Sequence, residues 1–241
     1  MAVRLRAWSS LGGIAFTVLA VIGAIFLYDG PQSSSPAKMR AWYTSGGNRA
    51  HINIGWILVG LALLCLIWFI AGVRERVAQA EQASAPGASF LTTLVTIGGT
   101  VFVAAGVCQI GIADGIKTMS DDTYHHQVYG GLIHAAGDAS YIILAGSGVA
   151  MASMIFAISL AIFAFGLLPR WVGWFGVVAG VAAIFSLFFF TMLVWLLWIA
   201  VASVALYVRA PSATPAREAL AATAGTAATT RRRPRGARRA W

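Results

Sequence analysis

The stretch DDTYHHQVYGGLIHAAGD, residues 121–138, holds three of the chain's four histidines and three of its eight acids. Imidazole with carboxylate oxygen suits Zn2+ or Cu2+, and two opposed imidazoles can grip a haem iron. His134 and Asp138 are spaced i and i+4, so on a helix they share a face, which Tyr141 continues at i+7. The fourth histidine, His51, opens an apolar run in GGNRAHINIGW. Convergence of His51, His134 and Asp138, under a lid carrying His125 and His126, would make a zinc, copper or haem site. Two further readings compete with it. The same patch could hold an organic or lipid ligand, or His134 and Asp138 could form a charge-assisted pair that caps the helix mouth and needs no ligand. Ligand spacings such as H-E-x-x-H are missing. Arg49, Asn53 and Tyr141 are the residues expected to line a small polar vestibule beside these histidines.

The elements that must position these residues are set by the rest of the chain. Hydrophobic residues make up 59% of 241 and charged residues only 10%, where a soluble domain carries about 25% charged. The shortfall lies in uncharged runs: 7–28, 50–73, 82–113, 139–169 and 171–208. A helix needs roughly 20 apolar residues to cross about 30 Å of hydrocarbon. Only helices and closed barrels satisfy their backbone polar groups there, and the runs show no alternation of period two. The last run has 38 residues, about 57 Å as one helix, which suits two spans joined tightly near 186–191. The expected fold is therefore an all-α polytopic transmembrane bundle of six spans, at about 8–28, 51–73, 89–112, 139–168, 171–187 and 190–208.

Charge bias fixes the expected orientation, because cytoplasmic loops are richer in Lys and Arg. Six spans with the N-terminus inside place 13 positive residues in the cytoplasm against four outside, Lys38, Arg40, Arg49 and Lys117. Five spans would give 5 inside and 12 outside. The reading is a bacterial plasma-membrane protein with both termini cytoplasmic. Its segment 209–241, rich in Ala, Thr, Pro and Arg, is expected to be a disordered basic tail that meets anionic headgroups. That tail does not interleave aromatics, so nucleic acid is discounted as a partner.

Inside the runs, GSGVAMAS places Gly148 four residues before Ala152, and Gly146 four before Ala150, spacings that let helix backbones approach. Thr92, Thr96 and Thr100 fall on one face, expected to turn inward. No predicted span carries a charge near its centre, which argues against proton-coupled carriage. Cys65 and Cys108 differ in expected depth by roughly 16 Å, too far for a disulfide.

Two stretches carry a resemblance. SGGNRAHINIGWILVGLALLCLIWFIAGVRER, residues 45–76, resembles the second span of an actinobacterial family of uncharacterised integral membrane proteins. GLLPRWVGWFGVVAGVAA, residues 166–183, is similar to the L-P-R-W-x-G-W turn that opens the fifth span in that family. The resemblance spans about residues 40–208 and implies six spans, but no activity and no catalytic residues. Within it Pro169 is expected to stop the fourth span, and Asn48 is a candidate cap for the second. Taken together, the sequence points to a non-enzymatic membrane protein acting through lipids, other membrane proteins or self-association, with an outward-facing polar vestibule. The competing class is a transporter or channel for a small solute. A polar stripe through the centre favours transport, and a dry centre favours the first reading.

Overall fold

The computed structural model describes residues 2–28, 37–38, 41–42, 45–121, 129–186 and 188–209. Among the described residues six helices carry the architecture: α1 (Ala2–Tyr28), α2 (Gly46–Ser84), α3 (Phe90–Asp121), α4 (Tyr129–Phe165), α5 (Arg170–Ile184) and α6 (Phe189–Val208). Each helix packs on the next in the chain, and α6 returns to α1, which closes a ring. Five contain stretches long and apolar enough to cross a membrane, the exception being α5 with 15 residues. At 1.5 Å per residue α5 is about 22 Å long, short of the roughly 30 Å of hydrocarbon. This is the build of a membrane-embedded, multi-pass protein.

Neighbouring helices run antiparallel. Gly12 on α1 lies against Cys65 and Phe69 on α2, and Gly23 lies against Gly55 and Val59. The closing pair follows the same rule, with Gly13 against Ile199 and Ser203 and the Thr17 hydroxyl donating to the Leu196 carbonyl at 3.2 Å. The start of α1 and the end of α6 thus share one end of the ring. Arginines gather there: Arg76 donates to Ser10 at 2.9 Å, Arg74 to Thr96 at 3.2 Å, and Arg209 to the Gly166 and Leu167 carbonyls at 3.4 Å.

Boundaries differ from the sequence reading where helix-forming polar residues extend a span. Residues 74–84, RERVAQAEQAS, continue α2 well past 73, because Ala, Arg, Glu and Gln are strong helix formers. Asn48 is not the cap of α2; that position is Ser45, and Asn48 sits in the first turn with its amide donating to the Trp42 carbonyl at 3.2 Å. The α4 stop is Gly166 rather than Pro169. Its φ of +65° ends the helix, and its N–H bonds back to Ile162 at 3.0 Å, the left-handed position that glycine takes without a Cβ penalty. Pro169 instead caps the start of α5. The expected break in the last run falls at Phe185–Phe188, held by Thr191 donating to the Phe185 and Phe188 carbonyls at 2.6 Å. Of the threonine face, Thr92 is buried, Thr96 half-buried and Thr100 exposed, so only its first part turns inward. Cys65 and Cys108 are both free thiols, and Trp171, Trp174 and Tyr207 are exposed. The basic segment 210–241 lies outside the described residues.

One buried charge serves the fold. Glu81, in the extension of α2, is only 4% exposed and accepts from the Leu91 N–H at 2.8 Å, the Thr92 N–H at 2.9 Å and the Thr92 hydroxyl. It satisfies first-turn donors of α3 and faces the positive end of that helix. Burial pushes its pKa up, but the bonds from Thr92 and Leu91 prevail and hold the carboxyl below the ordinary carboxylate range. A depressed folded pKa adds stability that is complete above the ordinary carboxylate pKa and is lost as pH falls through the folded value. Glu81→Ala should therefore cost about 1–3 kcal/mol by orphaning buried donors. In thermal melts of the detergent-solubilised protein, the gap between wild type and E81A should narrow on acidification below the carboxylate range.

Candidate functional site

The ring encloses a cavity of about 450 Å3, within the range of small-ligand pockets. Five helices wall it: α1, α2, α3, α4 and α6. The lining takes residues 16–27 of α1, 56–63 of α2, 102–116 of α3, 140–147 of α4 and 192–196 of α6. All of these belong to the half of the ring away from the arginines. No described residue of α5 reaches the cavity.

An aromatic floor separates the cavity from the arginine end. Trp195 on α6 stacks with Phe16 on α1 at a centroid distance of 6.3 Å, and meets Phe102 on α3 edge-on at 5.5 Å. Around and beneath these rings lie fully buried Leu66, Met151, Met154, Ile155, Trp198 and Ile199. Among the described residues the side chains that fill this layer are mostly apolar.

Few polar groups face the cavity. Gln109 on α3 donates across to the Ser140 carbonyl on α4 at 3.5 Å, and the Ser147 hydroxyl is taken up by the Leu144 carbonyl at 2.6 Å. Trp195 is different. Its Nε1 is buried in the cavity wall with no hydrogen-bond partner among the described residues. A buried unmet donor costs about 1–3 kcal/mol, whereas the indole of Trp198, deeper in the core, donates to the Val172 carbonyl at 3.0 Å. Among the described residues the lining holds no Asp, Glu, His, Lys, Arg or Cys. It lacks the nucleophile–base pairs of covalent catalysis.

The residues picked from the sequence scatter around this cavity. Tyr141 lines it, while Arg49 and Asn53 sit half-buried on the first turns of α2 and are not part of the wall. The His51 ring packs on Phe26 of α1, centroids 4.6 Å apart, on the side of α2 that faces α1. Helices α2 and α4 meet only over a short stretch, with α3 between them. Asp138 is exposed on α4, one turn on from His134, whose side chain lies outside the described residues, as do His125 and His126 altogether. Among the described residues no three side chains of metal-ligating type come together. Sequence reasoning missed Trp195, Gln109, Phe16 and Phe102. The signal that marks part of this set is uncharged polarity at membrane depth, as at Gln109 and Ser140, rather than charge or histidine.

No protein-family model, curated protein or solved structure matches this chain.

Proposed function

We propose that this protein is a non-enzymatic integral membrane protein that binds a lipid-like ligand in its intramembrane cavity. The observation that carries the reading is the cavity itself: ligand-sized and apolar in most of its lining. An apolar wall with very few polar contacts selects hydrocarbon with an occasional hydrogen-bond acceptor. The aromatic floor favours binding over conduction, since a channel for a polar solute needs a lined path. The orientation belongs to the same reading. Six spans with both termini in the cytoplasm of a bacterial plasma membrane agree with the arginine bias and would open the cavity toward the outer half of the bilayer. Kinship with the actinobacterial family rests on the G-N-R and L-P-R-W-x-G-W segments and adds no activity.

The test is lipid retention. Wild-type protein purified in a mild detergent should carry a stoichiometric amphiphile detectable by mass spectrometry of its extract. Ala113→Phe, which places a ring in the cavity from α3, should reduce that retention at least tenfold, a change of about 1.4 kcal/mol in affinity. Equal retention by both proteins would remove the cavity from the function.

A further inference from the structure

Resting on the reading just given, we infer that the ligand is an acyl chain of a membrane lipid, and that it reaches the cavity sideways through a window between α4 and α6. The window follows from the length of α5. Everywhere else around the cavity, adjacent walls are helices that pack on each other: α1 on α2, α2 on α3, α3 on α4, and α6 on α1. Helices α4 and α6 do not pack along one another, because α5 stands between them. Yet α5 ends at Ile184, and its last turn abuts α4 at Gly148, where an added Cβ would run into the Ala183 carbonyl and the Ser186 side chain. From Gly148 back to Asp138, α4 continues for ten residues, about 15 Å, with no described helix filling the space toward α6.

That uncovered length is where α4 contributes Ser140, Leu144 and Ser147 to the cavity, opposite Met192 and Trp195 of α6. The gap therefore opens onto the cavity and not onto packed core. It also lies within bilayer depth: residues 139–147 of α4 and 189–196 of α6 contain no charge. At the start of α6, Phe188 is 62% and Phe190 79% exposed. An apolar opening at this depth costs nothing against hydrocarbon, whereas water at the same place would be unfavourable. A chain lying through the window would bury its methylenes against Leu144, Met192 and Phe102 and leave its headgroup outside the ring.

Two phosphatidylcholine probes test this in vesicles of phosphatidylcholine, one with a diazirine at the end of an acyl chain and one with a diazirine next to the ester. After irradiation, labelled peptides are located by mass spectrometry. The chain-end probe should mark inward residues such as Phe102 and Ala24. The ester-proximal probe should mark Ile142 and Phe190 at the window several-fold more than Leu27, Trp56 and Ile116 at the axial mouth. Inward labelling by the first probe, with the second marking Leu27, Trp56 and Ile116 instead, would overturn the lateral route and leave lipid binding intact. Absence of inward labelling by the chain-end probe would overturn both.

Discussion

Trp198→Ala should destabilise the protein by about 3–5 kcal/mol, the cost of emptying a large buried aromatic site. Trp198 is fully buried against Gly176, and its N–H ties α6 to the Val172 carbonyl of α5 at 3.0 Å. Nothing nearby can collapse into the space easily, since Gly176 has no side chain and the flanking Ile199 and Ala202 are already packed. Trp198→Phe keeps most of the volume and loses the bond, so it should cost about 1 kcal/mol. Trp195→Phe is the informative partner. Trp195 is also buried, at 2% exposure, but among the described residues its N–H has no partner to lose. Its replacement should leave the stability of the protein unchanged or raise it. Equilibrium unfolding of both phenylalanine variants, in the same detergent, reads the contrast. Equal losses at the two positions would mean that the Trp195 donor is satisfied in the folded protein.

The helices were legible because lipid solubility writes itself into composition. Uncharged runs and a Pro-Arg-Trp turn mark α1 to α4, but the helices run on past the expected spans, over 74–84 in α2, 113–121 in α3 and 129–138 in α4. What the runs hide is which face of each helix turns inward. In a soluble protein the inner face is apolar and the outer polar, so periodicity separates them. In a membrane both faces are apolar and packing, not hydrophobicity, draws helices together. Phe16 is buried and Val18 exposed; Trp195 is buried and Leu197 exposed. Hydropathy treats the members of each pair alike. The cavity is built from such residues, which is why attention drawn to histidines at the outer end missed it. Tyr141 was found there only because it continued the face of His134 and Asp138. The shortness of α5 was hidden for a related reason. Gly166 and Pro169 fix its start, but its end at Ile184 carries no glycine or proline and depends on how Ser186 and Thr191 fold the turn back on itself.

Gly148→Val, at the foot of that turn, should be among the costliest small changes in the protein. A Cβ at residue 148 falls far inside the 3.0 Å that real Cβ contacts respect, and the obstacle is the backbone carbonyl of Ala183, not the end of a flexible side chain. Helix α5 must then move away from α4, and the glycines that seat it would move with it: Gly173 against Phe163, Gly176 against Ser159, Gly180 against Phe156. Overpacking of this kind costs about 1–3 kcal/mol, more when backbone has to shift. Gly146, two residues earlier on the same helix, is the control. Its face is exposed and nothing lies within 4 Å of an added Cβ, so Gly146→Ala should stabilise by about 0.5–1 kcal/mol through helix propensity alone. Both glycines belong to the same G-S-G segment, and from sequence both fit a close-packing face; only one touches a neighbour. Thermal melts of the two variants separate them by sign, and two similar melts would mean that α5 does not press on α4 there. Because Gly148 also sets where α5 stops against α4, the valine variant should change the width of the window as well. Labelling of Ile142 and Phe190 by the ester-proximal lipid should then shift in G148V and stay as in wild type in G146A, which ties the packing of one short helix to access for the ligand.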